Sequence, residues 1–171
     1  MLPNHAVAIV LMGPMGCGKT TIGLLLAKRV GCAFEDGDNF HPPENVEKMR
    51  TGIPLEDADR MDWLAVLQGR IQERLQAGDS LVLACSALKH SYRELLGIDQ
   101  KKVFSVYLKG NEALLRERLG QRRHQYMNDS LLKSQMEAME EPRDGLIADI
   151  SQSPEEICTG IIAWLKAQPQ A

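Results

Sequence analysis

The chain reads as an α/β protein, a parallel sheet with helices on both faces. Three features of the sequence predict it. Short apolar runs, Ala6–Met12, Ser80–Cys85 and Val103–Leu108, alternate with longer stretches of helical spacing. Such runs suit strands covered on both sides, and their alternation with helices implies parallel pairing through crossovers. The first run also ends in a glycine-rich turn, Gly13 to Gly18, that opens directly into a helical pattern. With 171 residues and 44% hydrophobic content, the expectation is one domain over 1–171 that folds without disulfide or structural metal.

Element by element, Ala6–Met12 is the first strand and Gly13 stops it. Thr20–Val30 carries Ile22, Leu25, Leu26 and Val30 at helical spacing, with Gly31 as its stop. Ala33–Asp36 is a very short strand. Pro42 and Pro43 open a helix through Met49, and Gly52 and Pro54 end it. Asp59 begins a longer helix whose Leu64, Leu67, Ile71 and Leu75 share a face. Ser80–Cys85 is a buried strand, then a helix covers Leu88–Leu96. After the Val103–Leu108 strand, Asn111 caps a helix to Leu119. Gln121–Ser130 is polar and basic, Leu131–Met139 is helical, and Gly145–Asp149 is the last strand. Ser153 and Glu156 form a capping box, with Pro154 at the first position of a helix to about Lys166.

Net charge is −3, from 20 basic and 23 acidic residues interspersed along the chain. No block of like charges suggests a nucleic-acid tail or a polybasic membrane anchor. The apolar run Ala6–Met12 is far short of the ~20 residues that a membrane span needs. No basic start precedes an apolar signal core, and Cys17, Cys32, Cys85 and Cys158 form no CxxC pair. Reduced thiols and a cytoplasmic location are expected, with neither nucleic acid nor membrane as partner.

The chemistry begins at Gly13-Pro14-Met15-Gly16-Cys17-Gly18-Lys19-Thr20, a match to G-x-x-x-x-G-K-[ST]. Glycines let the backbone wrap a phosphate with its N–H groups, and the next helix turns its positive end toward that anion. Lys19 supplies a charge for the β- and γ-phosphates, and the Thr20 hydroxyl can ligand Mg²⁺. ATP with Mg²⁺ is the expected co-substrate. The base-reading N-K-x-D and the D-x-x-G string of GTP-binding switches are both absent. A polar cluster after the second strand and a basic segment late in the chain fit a small-molecule kinase with a substrate site and a lid.

A longer pattern accompanies the loop. Asp36-Gly-Asp38, His41-Pro42, Asn45, Glu47-Lys-Met49, Gly52, Pro54-Leu55, Asp59-Arg60 and Trp63-Leu64 follow it in order. Further on stand Cys85-Ser-Ala-Leu-Lys89, Tyr92-Arg93, Tyr107-Leu-Lys-Gly110, Arg118-Leu119, Arg122, Ser134-Gln135 and Glu141-Pro142. In these residues the chain resembles the phosphate-loop gluconokinases over nearly its whole length, most specifically from Asp36 to Leu64. The resemblance implies ATP-dependent phosphorylation of D-gluconate at its 6-hydroxyl. It also implies a three-layer fold like that of the nucleoside monophosphate kinases, with a central sheet of about five parallel strands, and a homodimer. The segment over about 40–78 would cover the substrate, and about 120–131 would be the lid.

Phosphoryl transfer needs positioning and charge neutralisation. Asp38, at a strand end beside the loop, is the candidate base or orienting group. Asp36 is the candidate for Mg²⁺, through water. Position alone leaves both carboxylates available to take the proton. Gluconate's carboxylate and hydroxyls call for cations and neutral donors. Arg60 and Arg93 are candidates for the carboxylate or the transferred phosphate, with His41 and Lys48 as further contacts. Lys89 and Ser86 follow a strand end, where ligands gather in open α/β sheets. Arg118 and Arg122, four apart, would close over ATP, with Arg122 among the catalytic candidates alongside Lys19 and Asp38. Trp63, Trp164, Met136 and Met139 read as core, and Cys17 as the occupant of an unconstrained loop position.

The match has departures. Arg122-Arg-His-Gln-Tyr126 places His124 one position earlier than the family's Gly-His-aromatic, and Asp62 stands where a proline is common. Pro14, Met15 and Cys17 occupy loop positions where small residues are common. Two alternatives stay open on the sequence: a kinase for another polyhydroxy acid, another aldonate or a shikimate-like acid, and a non-catalytic ATP-binding module.

Overall fold

The computed structural model describes residues 5–121 and 129–169. Five strands, β1 (Ala8–Met12), β2 (Ala33–Asp36), β3 (Leu81–Ala84), β4 (Val103–Lys109) and β5 (Leu146–Asp149), form one sheet in the order β2-β3-β1-β4-β5. Every pairing is parallel, with Val10 opposite Leu83 on one side and Ser105 on the other. The helices are α1 (Lys19–Val30), α2 (Pro43–Arg50), α3 (Asp57–Gln76), α4 (His90–Leu95), α5 (Glu112–Gln121), α6 (Asp129–Ala138) and α7 (Pro154–Lys166). None of the described helices is long and apolar enough to cross a membrane.

Strand β1 shows why the apolar runs are continuous. Val7, Ile9 and Leu11 join one hydrophobic cluster, with α1 and α7. Ala8, Val10 and Met12 join the other, with α3 and α4. Side chains alternate across a strand, so a sheet covered on both faces needs apolar residues at every position. The predicted three-layer arrangement follows directly.

Most elements match their sequence signals to within a residue or two, and the differences have local causes. Helix α3 begins at Asp57 rather than Asp59, because Asp59 is the third helical residue: its Oδ2 accepts from the Glu56 backbone N–H at 2.8 Å. Glutamate is outside the usual capping set, which hid the start. Helix α4 begins at His90 rather than Leu88. Residues 86–89 stay non-helical, Ala87 at φ +42°, and Arg93 binds the carbonyls of Ala87 and Leu88 at 2.9 and 3.0 Å. The box predicted at Ser153 is present, with Glu156 Oε2 accepting from Ser153 N–H at 2.9 Å.

Between β2 and β3, a short 3-10 turn (Gly37–Phe40) leads into α2 and α3, the segment expected to cover substrate. Asp59 ties the two helices together. Its carboxylate takes Lys48 Nζ at 2.8 and 2.9 Å, and its carbonyl takes Asn45 Nδ2 at 2.7 Å. On the other side of the sheet edge, Glu35 receives Arg70 and Arg74 from α3, which holds its carboxyl below the usual range and fastens α3 to β2.

Candidate active site

The carboxyl ends of β1, β2 and β3 deliver three loops to one cleft of about 280 Å³. The glycine-rich turn leaves β1 and its Gly13 N–H donates to Ser86 O beyond β3 at 3.1 Å, which holds the two strand ends together. Gly13, at φ +141°, has room for no side chain: a Cβ there would stand 2.8 Å from Cys17 Sγ. Cys17 is fully buried in the core. The expectation of an unconstrained position at Cys17 is therefore corrected: its thiol packs under the loop as a small apolar wedge.

Lys19 Nζ lies back on its own loop, donating to Gly13 O at 2.9 Å and Pro14 O at 3.2 Å. Thr20, one residue on, donates its hydroxyl to Asp36 Oδ2 at 2.9 Å. Asp36 Oδ1 accepts from the Asp38 N–H at 3.0 Å, so both oxygens of Asp36 are engaged. Asp38 is different. Its carboxylate makes no hydrogen bond among the described residues, and its side chain is 73% exposed to the water in the cleft. The protein walls around it push its pKa up, opposed by the positive charge of Lys19 and reinforced by Asp36.

His41 and Arg60 also line the cleft. His41 stacks on Trp63, whose Nε1–H donates to Gly37 O at 2.7 Å. Burial and the neighbouring Arg60 lower the His41 pKa to about 4, so the ring is neutral at ordinary pH. Arg60 is 9% exposed and lines the cleft. Its Nη1 donates to Leu55 O at 2.6 Å and approaches the Tyr92 hydroxyl at 3.4 Å, and it forms no salt bridge among the described residues. Its guanidinium also lies over the Tyr92 ring at 5.4 Å. A cation this buried, matched to neutral acceptors, suits an anionic ligand.

The cleft thus brings together Met15, Gly16, Gly18, Lys19, Thr20, Asp36, Asp38, His41 and Arg60 from the sequence candidates, with Ser86 beside them. Gly13, Pro14 and Cys17 shape the loop from beneath. Arg118 reaches the loop from α5: its Nη2 donates to Ile150 O at 2.5 Å, and its Nη1 would lie 3.8 Å from a Cβ at Gly18. Arg122 and the neighbouring Arg123, His124, Gln125 and Tyr126 fall outside the described residues.

Three candidates are turned elsewhere and do not line this cleft. Lys48 is paired with Asp59. Lys89 is paired with Asp57 at 2.8 Å and lies in an adjoining shallow hollow, while the Tyr92 hydroxyl also donates to Asp57. Arg93 is 6% exposed and spends its guanidinium on the carbonyls of Ala87, Leu88 and Glu140, pinning the loop after β3 to residue 140.

The sequence reading gave no role to Gln135 or Ser134 and read Trp63 as core, yet all three line the cleft. Gln135 Oε1 accepts from the Met15 N–H at 2.7 Å, linking α6 to the glycine-rich loop across 120 residues of chain. Gln135 and Ser134 lay within the quoted pattern, but only the packing of α6 over the loop shows what they touch. Trp63 serves both functions, core filler at 2% exposure and floor of the cleft.

The oxygen pair Thr20 and Asp36 fits a magnesium ion, which takes one or two protein oxygens and completes its shell with water and phosphate. No cluster of three or more His, Cys, Asp or Glu suited to a metal exists among the described residues.

Comparison with known proteins follows the same lines. The shikimate kinase family model matches residues 15–166. A gluconokinase from Gluconobacter oxydans is 47% identical over 136 residues, covering 80% of this chain and 76% of that protein. Among solved structures, an unliganded sugar kinase from Janibacter sp. HTCC2649 aligns with TM-score 0.88 at 37% identity, over 96% of both chains. A gluconokinase from Sinorhizobium meliloti 1021 aligns with TM-score 0.84 at 39% identity, covering 95% of this chain and 93% of the other.

Proposed function

We propose an activity for this chain, which belongs to the gluconokinase family: ATP-dependent phosphorylation of D-gluconate at its 6-hydroxyl, giving 6-phospho-D-gluconate and ADP. The observation that carries the substrate choice is Arg60, a buried guanidinium without a carboxylate partner among the described residues, in the same cleft as Lys19 and Asp38. Gluconate supplies the missing anion, with its carboxylate at Arg60 and its far end toward the phosphate loop.

In this reading the amides from Gly16 to Thr20 cradle the ATP phosphates, and Lys19 leaves the Gly13 and Pro14 carbonyls to meet the β- and γ-phosphates. Arg118, and Arg122 from the lid, offset the charge of the moving phosphoryl group. Thr20 and Asp36 would hold Mg²⁺, Asp36 through water; the ion would supply charge neutralisation for the phosphates. Asp36 is already occupied by Thr20 and its own turn, so Asp38 is the carboxylate left to orient the 6-hydroxyl. The raised pKa of Asp38 makes it a better proton acceptor than an ordinary aspartate. The α2–α3 segment covers the substrate and 120–131 is the lid. We place the enzyme in the cytoplasm as a homodimer, in keeping with four unpaired cysteines and the family resemblance.

ADP release from Mg-ATP against D-gluconate, other aldonates and shikimate tests the reading. Turnover with gluconate alone is expected, lost by roughly a hundredfold or more in Lys19→Ala and Asp38→Asn. Activity confined to another acceptor would overturn the substrate. ATP binding without turnover on any acceptor would overturn the enzyme reading.

A further inference from the structure

The side-chain amide of Asn45 meets one ring nitrogen of His41. Asn45 is 3% exposed, in the first turn of α2. One of its amide atoms stands 2.7 Å from the Asp59 carbonyl oxygen and 3.3 Å from Nδ1 of His41. A carbonyl oxygen only accepts, so the atom facing it is the amide nitrogen, Nδ2. That nitrogen has a second hydrogen, and His41 Nδ1 is what it meets. A ring nitrogen that receives an N–H carries the lone pair, which leaves the proton of the neutral imidazole on Nε2.

Nε2 faces Asp38 Oδ1 at 3.8 Å, beyond hydrogen-bond reach. An oxygen within hydrogen-bond reach of both atoms would bridge that gap. The ring itself cannot turn freely, because it is stacked on Trp63 with centroids 4.0 Å apart. The groups facing it are Asp38 on the 3-10 turn, Asn45 on α2, and Arg60 and Trp63 on α3.

We propose that Asn45 is a positioning residue that holds His41 as its Nε2–H tautomer, so that His41 and Asp38 form a donor–acceptor pair orienting the attacking hydroxyl. The hydroxyl oxygen accepts from Nε2–H and donates to the Asp38 carboxylate. As that oxygen bonds to the γ-phosphorus, the bond from phosphorus to the β–γ bridging oxygen breaks and ADP leaves. The hydroxyl proton passes to Asp38, and His41 keeps its own. The opposite tautomer would present a lone pair at Nε2, which competes with Asp38 for the same proton and misorients the nucleophile. This inference rests on the kinase reading of the cleft.

Long-range ¹H–¹⁵N correlation of the histidine rings at pH 7.5 tests it, with the His41 signals assigned by their loss in His41→Gln. The expected spectrum has a lone-pair Nδ1 and a protonated Nε2. Asn45→Leu, which removes the donor, should populate the Nδ1–H form and lower kcat by roughly ten- to a hundredfold, with KM for ATP within about twofold. His41→Gln, which keeps a donor near the Nε2 position, should retain more kcat than His41→Asn. An Nδ1–H ring in the unmodified protein overturns the proposal, with no variant required to fold. Equal kcat losses in the two His41 variants overturn it as well. Gluconate turnover in the unmodified enzyme separates the two readings. An Nδ1–H ring with full turnover sinks the Asn45 role and leaves the substrate. An Nε2–H ring without gluconate turnover sinks the substrate instead.

Discussion

The imidazole of His41 lies on the indole of Trp63, with ring centroids 4.0 Å apart and planes inclined by 17°. The stack joins the turn that carries Asp38 to the helix that carries Arg60, so the proposed base and the proposed anion contact are tied together through two aromatic rings. It also removes His41 from water, its side chain being 3% exposed.

Folding therefore lowers the His41 pKa from 6.5 to about 4. Between those values the unfolded chain binds more protons than the folded one, so stability rises with pH across the window. The contribution is full above pH 6.5 and lost as pH falls toward 4, amounting to about 3 kcal/mol at most. Urea unfolding at a series of pH values from 7.5 to 4.5 should show this slope, and His41→Gln should flatten it. An unchanged slope in the variant would assign the acid sensitivity to other groups.

Arg60→Met keeps much of the side-chain volume and removes the charge. KM for gluconate should rise ten- to a hundredfold, the loss of a charge-assisted contact worth about 1.5–3 kcal/mol. KM for ATP should move little, since the hydrogen bonds of Arg60 among the described residues go to Leu55 and Tyr92 and not to the phosphate loop. Steady-state kinetics with each substrate varied in turn read the difference.

Arg93 behaves in the opposite way. Its guanidinium serves three backbone carbonyls and no part of the cleft. Arg93→Met should leave those buried oxygens short of donors and cost about 3 kcal/mol of stability. The fall should appear in the urea midpoint, while KM for gluconate, measured on the folded fraction, stays within about threefold. A large selective KM increase would return Arg93 to the substrate site.

Gly37 admits no side chain. A Cβ there would stand 2.5 Å from the Ala84 carbonyl and 3.1 Å from the Leu67 side chain. Gly37→Ala must push the turn away from β3, at a cost of about 1–3 kcal/mol for overpacking. The same shift carries Asp38 with it, so kcat should fall together with the thermal midpoint. A variant with normal kcat would mean that Asp38 holds its place independently of the turn.

Cys85 lies under the cleft, and burial pushes its thiol up to about 12. The thiolate is the reactive form, so alkylation of Cys85 in the native protein should be far slower than in urea. Mass spectrometry of iodoacetamide-treated protein reads this directly. Rapid native labelling would show that the loop after β3 opens.

The sequence by itself determined the layers, the phosphate loop and the family. Continuous apolar runs, a glycine-lysine-threonine signature and capping residues such as Ser153 act over a few neighbouring residues, so they are legible wherever they occur. It could not tell Arg60 from Arg93, or say which of Asp36 and Asp38 takes the proton, because each pair has the same charge and a comparable place in the pattern. Tertiary structure sets the members of each pair apart by the partners it gives them. Arg93 is consumed by carbonyls as distant as Glu140, while Arg60 is buried facing the cleft. Asp36 is taken by Thr20, which leaves Asp38 open to the cleft. The same holds for Asn45, whose amide reads as an ordinary helix residue until Asp59 and His41 close around it. Hydrogen-bond partners and burial are properties of packed surfaces, and only the fold brings those surfaces together.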